Sequence, residues 1–233
     1  MAHDVKAIRN TFYSTKGRNA VKQLKKNGFE AYYTDNRRDA AKLLISIIPD
    51  QSLIGVGDSH TVFALDVDDA LEEKGCTLVF NKEALNLHRY NSTEEKGYIK
   101  APTREEARAQ LADFLTSNVF LLGANAITMK GEIVNMDGVG NRIAGSLYGA
   151  DRIIVVAGIN KLVPDENAAK ERIHFTAAPM NKIKYGDECA CVKTGICHDC
   201  SGPERICNIM TILHRKPFDS DFHVIIVGEE LGF

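Results

Sequence analysis

No apolar run in the 233-residue sequence approaches the roughly 20 residues needed to cross a bilayer. The opening Met1-Ala2-His3-Asp4 also lacks the apolar core of a signal peptide. Together these absences lead us to expect a cytoplasmic protein with no membrane insertion. An excess of one charge is missing as well. Lys plus Arg number 29 against 31 Asp plus Glu, a formal net charge of -2, so there is no general electrostatic reason to bind nucleic acid. Neither a repeat with a period of roughly 20 to 50 residues nor a low-complexity tract is found, which excludes solenoids and arrays. What is present is 44% hydrophobic residues, enough for a single α/β domain over 1–233.

Hydrophobic periodicity alternates between helix and strand. Val21 and Leu24 recur at helical spacing, Gly28 supplies a stop, and Phe29 to Tyr33 reads as a strand. Ala40, Leu43, Leu44, Ile47 and Ile48 form a second helical face closed by Pro49, and a buried strand over Ser52 to Val56 leads into another helix. Thr77 to Phe80 is a short strand and residues 87–101 are polar and irregular. Thr103 with Glu106 has the spacing of a capping box for a helix burying Ala107, Leu111, Phe114 and Leu115. Val119 to Gly123 is a buried strand, and residues 123–142 read as a loop, a small hairpin strand and a loop opening a helix near Ile143. Arg152 to Gly158 has the near-continuous apolar run of a central parallel strand. A helix from about Asp165 to Phe175 is expected to finish before Pro179, and Phe222 to Val227 supplies the last strand. Strands separated by helices predict a sheet covered on both faces.

Three polar loops follow apolar strands: Gly57 to Thr61, Gly123 to Thr128, and Asn160-Lys161. Loops beyond the carboxyl ends of strands in open α/β sheets converge on a crevice, so one pocket is expected there. Gly57, Ser59, His60 and Thr61 offer backbone N–H groups and hydroxyls to an anion, although His60 stands where a dinucleotide fingerprint needs its third glycine. A strand-to-helix turn capped by Ser59 or Thr61, with an ordinary surface histidine at His60, is the plainer alternative. Asn125 and Thr128 lie in the second loop. Gly138, Gly140, Asn141 and Arg142 can bring backbone and a guanidinium to a carboxylate or phosphate, with Asp137 as base. Local turn chemistry accounts for Asp137 and Asn141 equally well. Lys161 beside Asn160 adds a cation to this pocket, or is a solvated lysine just past a strand.

Five of the six cysteines crowd one segment, 187–208, read as an insertion in the domain. Cys191-x5-Cys197-x2-Cys200-x6-Cys207, with Cys189 as a fifth thiol, offers soft ligands suited to an iron–sulfur cluster or tetrahedral zinc. Unmetallated thiols are the third reading, and Lys193, His198 and Arg205 keep a redox role open by favouring thiolates. With one Cys-x2-Cys pair, a paired-knuckle zinc ribbon is not matched. Cys76 stands apart as a small buried residue.

These ordered motifs resemble the LUD (lactate utilisation) domain family. The resemblance rests on Asn125-Ala126-Ile127-Thr128, Gly131 to Asn135, Asp137 to Arg142, Gly158 to Val163, Ala178-Pro179 and Thr194-Gly195-x-Cys197-x2-Cys200, and spans Lys16 to Gly232. It implies a three-layer α/β fold similar to the sugar-phosphate isomerase and CoA-transferase (NagB/RpiA-like) superfamily. It also implies association with the oxidation of L-lactate to pyruvate through iron–sulfur proteins. Cys191, Cys197, Cys200 and Cys207 look like the cysteine motif of a single-domain branch, and Cys189 falls outside it. Asp58 stands where many members have a second glycine. The ferredoxin-like extension of the electron-transferring members is missing, so an accessory role in lactate oxidation is expected rather than an independent dehydrogenase. An isomerase or acyl-transfer enzyme acting on a sugar phosphate or CoA-like substrate is the enzymatic alternative, and a metal-stapled subunit-binding module is the third. The partners compatible with these readings are a small anionic metabolite, an iron–sulfur protein and a second copy of the chain.

Overall fold

The structure, a computed structural model, describes residues 4–80, 104–203 and 205–233. The irregular stretch expected over 87–101 and the Thr103 cap lie outside the described residues. The first helix, α1 (Val5–Lys26), starts where the Asp4 carboxylate accepts the Lys6 and Ala7 amides. It ends at Gly28, whose φ of 90° suits a residue without a Cβ. Next come β1 (Glu30–Thr34), α2 (Arg37–Ile47) capped by Asn36, and β2 (Leu53–Val56). The helix expected after β2 is split into α3 (His60–Phe63) and α4 (Asp68–Glu73), with Asp66 at a positive φ of 52° between them. β3 (Thr77–Phe80), α5 (Arg104–Leu115) and β4 (Val119–Gly123) follow.

Six parallel strands form the main sheet in the order β1-β10-β7-β4-β2-β3, where β7 is Arg152–Gly158 and β10 is Asp221–Val227. Strand alternation divides the core in two. Ile153, Val155 and Ala157 of β7 pack with Leu24 of α1 and Phe114 of α5, whereas Ile154 and Val156 pack with Leu44 of α2 and Leu71 of α4. Helices therefore cover both faces, and each large side chain fully buried there contributes roughly 1.5–3 kcal/mol. Cys76 sits in the second of these cores and is buried. The chain steps from β2 outward to β3, then returns to the other side of β2 for β4 and continues to β7 and β10. This reversal opens a crevice at the carboxyl ends of β2 and β4.

A second, mixed sheet differs from expectation. It runs β8-β5-β6-β9, with β5 at Ala126–Thr128, β6 at Ile133–Asp137, β8 at Leu162–Val163 and β9 at Ile209–Leu213. Ile127, Ile133 and Leu162 face the main core, and Ala126, Val134 and Val163 pack on Ala169 and Ile173. The β5–β6 turn is clasped by α1: Asn27 Nδ2 donates to the carbonyls of Lys130 and Gly131 at 2.9 Å each, and a Cβ on Gly131 would lie 2.6 Å from the backbone of Gln23.

The helix α6 (Asn141–Leu147) follows β6. Pro179 does not close the next helical stretch as expected. The path runs through α7 (Glu166–Arg172), a π-helical turn (Ile173–Ala177) and α8 (Ala178–Lys184), with Pro179 in the first turn of α8. Proline is tolerated there because an N–H is not needed in a first turn. Residues 187–208 then run from α8 to β9 and contain the short α9 (Ala190–Thr194). Among the described residues no helix is long and apolar enough to cross a membrane.

Candidate functional site

The crevice is a cavity of about 390 Å³. Asp58, Ser59 and His60 come from the β2–α3 loop, Gly123 to Asn125 from the end of β4, and Lys161 from the 3-10 turn after β7. Asp137, Gly138, Asn141 and Arg142 line it from the β6–α6 loop, and Lys184, Tyr185, Arg205 and Cys207 from α8 and the cysteine segment.

Arg142 is held from several sides. Its Nε and Nη2 donate to Asp137 Oδ1 at 2.8 and 2.7 Å, and Nη2 also donates to Asn125 Oδ1 at 2.9 Å and the Met136 carbonyl at 2.7 Å. Nη1 has no partner among the described residues. Asp137 Oδ2 accepts the Ile143 amide at 2.9 Å, so both carboxylate oxygens are occupied. The expected base is thus a clamp for Arg142. Gly57 lies under that clamp: a Cβ would stand 3.3 Å from Arg142 Cγ and 3.2 Å from Leu122 Cβ. Gly123 makes room for Ser59, because a Cβ there would collide with the Ser59 hydroxyl. Ser59 Oγ in turn accepts the Val62 amide at 3.4 Å as the cap of α3.

Lys161 is buried, with 4% exposure, and its Nζ donates to Thr61 Oγ1 at 2.9 Å. The Thr61 hydroxyl donates onward to the Leu231 carbonyl at 3.1 Å. Asn160 holds the segment that covers this amine, donating to the Gly232 carbonyl at 3.1 Å and accepting the Leu231 amide at 3.1 Å. No carboxylate pairs with Lys161 among the described residues. Burial, followed by the nearby Arg172 and Arg142 charges, brings its pKa down to about 7. Arg172 likewise binds only carbonyls, those of Asn160 at 3.0 Å and Asn125 at 2.6 Å, and burial pulls its pKa below the usual range.

Asp58 Oδ2 accepts Lys184 Nζ at 2.5 Å and the Tyr185 hydroxyl, while Oδ1 is buried without a partner among the described residues. Burial raises the Asp58 pKa, but these two donors and the Lys184 charge outweigh it and leave the carboxyl below its ordinary value. His60 is pushed down by partial burial and then by Lys184, and its ring lies 4.9 Å from that of Phe233.

Not every expected residue reaches the cavity. Thr128 is a correction: its hydroxyl donates to Glu132 Oε2 at 2.8 Å and accepts the Lys130 and Glu132 amides at 3.2 Å, so it builds the β5–β6 turn. Gly57, Thr61, Gly140 and Asn160 act from behind the lining. Gly140 takes the positive φ of 95° that opens α6. Sequence reasoning missed Lys184 and Tyr185, which reach the crevice from the end of α8, and Arg172 at the end of α7, which binds the Asn160 and Asn125 carbonyls behind the lining; nothing in local spacing marks them. It also missed Glu132 of the β5–β6 turn, Glu166 of α7 and His214 just after β9, whose ligand atoms lie within 4.8 Å of one another outside the cavity lining.

The cysteine segment is organised differently. Cys189 and Cys191 sulfurs are 3.3 Å apart, and Cys197 Sγ lies 3.2 Å from His174 Nδ1 of the π-helical turn. Cys200 acts electrostatically on both Cys191 and Cys207, and Cys197 acts on Cys207. The thiols therefore share one neighbourhood, yet among the described residues no three of these donors lie within 4.8 Å of one another. Tetrahedral zinc, with Zn–S near 2.3 Å, needs sulfurs about 3.8 Å apart, so a ready-made zinc cage is not what the chain builds.

The expected thiolate activation is also corrected. Burial, then the Cys189 hydrogen bond and neighbouring sulfurs, pushes Cys191 up to about 11, and burial raises Cys207. Of the nearby cations Arg205 does act to lower Cys207, but burial and the neighbouring sulfurs outweigh it. Lys193 pairs with Glu188 at 3.2 Å, Arg205 with Asp199 at 2.7 Å, and His198 Nε2 lies 2.8 Å from Thr194 Oγ1.

Parallel-sheet topology and a strand-end cavity lined by Arg142, Lys161, Lys184 and Arg205 define the class, an α/β protein with cationic side chains around the crevice of its main sheet. Its family follows from comparison: the LUD domain model matches residues 18–227, and the chain belongs to that family, which is linked in general to lactate utilisation. A crystal structure of a DUF162 family protein from Deinococcus radiodurans, DUF162 being the former name of this domain, has the same fold. Its TM-score is 0.50 at 11% identity, over 92% of this chain and 97% of that one. No curated protein matches the sequence.

Proposed function

We propose that this LUD-domain protein is a cytoplasmic accessory component in the oxidation of lactate to pyruvate. In this reading the strand-end cavity takes the small organic anion, and Cys191, Cys197, Cys200 and Cys207 hold an iron–sulfur centre, with zinc as the alternative. The carrying observation is buried positive charge at and behind the lining: Asp137 answers Arg142 and Asp58 answers Lys184, whereas Arg172, behind the lining, and Lys161, in its protonated form, have no carboxylate partner among the described residues. A buried unpaired cation is costly, and an entering anion offsets that cost. Arg142 is pre-oriented by its Nε and Nη2 bonds, which leaves Nη1 for a carboxylate oxygen. Ser59 and Asn141 add polar side chains to the lining.

A bound cluster would supply one-electron transfer at the cysteine segment. Cys207 lines the cavity, so the two functions share a wall. The strand-end location and helix-covered sheet also support kinship with NagB/RpiA-like folds. The isomerase or acyl-transfer alternative is weakened because Asp137, its intended base, has both oxygens occupied.

Calorimetric titration with lactate, pyruvate, a sugar phosphate and CoA tests the pocket. A small carboxylate should bind, and Arg142→Met should weaken it by about tenfold or more, the scale of one charge-assisted contact. Equal binding to both proteins would remove Arg142 from the site. Iron and sulfide assays on anaerobically purified protein test the centre, and colourless, iron-free material would end the cluster reading.

A further inference from the structure

We propose that Lys161 captures a small 2-oxo acid covalently, as an imine between its Nζ and the keto carbon, while Arg142 holds the acid's carboxylate. The inference rests on the proposed anion-binding cavity and names the substrate class for it.

Geometry carries it. Lys161 is a lining residue of the cavity, and its Nζ has one side-chain hydrogen bond, to Thr61 Oγ1 at 2.9 Å, and no carboxylate partner among the described residues. The Thr61 hydroxyl is directed to the Leu231 carbonyl and so accepts from the amine. A lysine meant only to clamp an anion works best fully charged and exposed, whereas a buried one forfeits charge to desolvation and gains a nucleophilic lone pair. The pKa near 7 agrees: at neutral pH a large fraction of this amine is free, while an ordinary lysine has almost none. Arg142 lines the same cavity and lies near enough to act electrostatically on Lys161, which places a guanidinium for the carboxylate in the neighbourhood of the amine.

The step balances without an oxidant or reductant. The Nζ lone pair attacks the carbonyl carbon, the C–O bond breaks after proton transfer, and a C=N bond forms. The two amine hydrogens leave with the carbonyl oxygen as water. Lactate, which has a hydroxyl in place of the carbonyl, cannot follow this route and binds non-covalently.

The test uses the full-length wild-type protein with pyruvate and sodium borohydride at pH 8, followed by peptide mass mapping. Reduction of the imine leaves Lys161 heavier by one pyruvic acid less its carbonyl oxygen. Modification at Lys161 should exceed that at exposed Lys193 by about tenfold or more, given the difference in free amine. Excess lactate should suppress it, and Lys161→Met should lose it. The wild-type map alone decides the matter should that variant fail to fold. Calorimetric binding of pyruvate without preferential trapping at Lys161 would overturn the imine and leave the anion-binding reading standing. Neither binding nor trapping would overturn both.

Discussion

The strand-end cavity and the cysteine segment adjoin, yet they are held in opposite ways. In the cavity every charged group is fixed by the fold: Arg142 and Asp137 are 14% and 8% exposed and make bonds to three separate stretches of backbone or side chain. In the segment the Lys193 and Glu188 side chains are 61% and 86% exposed, and among the described residues no three of its thiols lie within 4.8 Å of one another. A preorganised pocket needs no ligand to keep its shape. A loop of thiols gains its shape from what it binds, because ligand free energy offsets the entropy of ordering.

Breaking the ion pair on the cavity side should have the largest effect. Asp137→Ala leaves the Arg142 guanidinium buried and unanswered and should cost about 3–5 kcal/mol, lowering Tm by roughly 10 °C in thermal unfolding. A loss under about 1 kcal/mol would mean that water or movement relieves Arg142, and that the two regions differ less than described.

Lys161 sharpens the contrast through pH. Its folded pKa of about 7 lies below the unfolded value, so between the two the unfolded chain binds more protons and this group makes stability rise with pH. Below the folded value both states are protonated, and the full cost of burying the charge remains. Lys161→Met should therefore stabilise the protein by about 1–3 kcal/mol at pH 6, and by less at pH 9. Chemical denaturation at both pH values checks the sign. A pH-independent difference would argue against a depressed pKa.

A smaller effect is expected on the segment side. Stripping metal from loaded protein with a chelator should speed proteolysis within residues 187–208 by about tenfold, while cleavage elsewhere stays unchanged. The smallest comes from Lys193→Ala. Its exposed pair with Glu188 should be worth under about 0.5 kcal/mol, measurable by denaturant titration beside Asp137→Ala.

The main sheet was legible because its strands are apolar runs bounded by turn formers. Val119 to Gly123 and Arg152 to Gly158 were read with the bounds they have. The second sheet was hidden because β8 has two residues and β5 three, too few for a period, and their pairing is set by distant chain. β9 follows the cysteine segment, whose composition masks it. Placing three loops at one crevice needed only the rule for parallel sheets, so Ser59, Asn125 and Lys161 were found together. Thr128 was misplaced because it shares a loop motif with Asn125 while pointing its hydroxyl into a turn. Asp137 does line the cavity, but its occupation by Arg142 and the Ile143 amide is a matter of three-dimensional contact that spacing does not encode.

The clasp between Asn27 and the carbonyls of Lys130 and Gly131 bears on how the molecule moves. With the hairpin tip seated on α1, the smaller sheet is riveted to the larger body and cannot swing as a jaw. Any widening of the crevice is then left to its other wall, where Pro203, Arg205, Ile206, Cys207 and Asn208 border it.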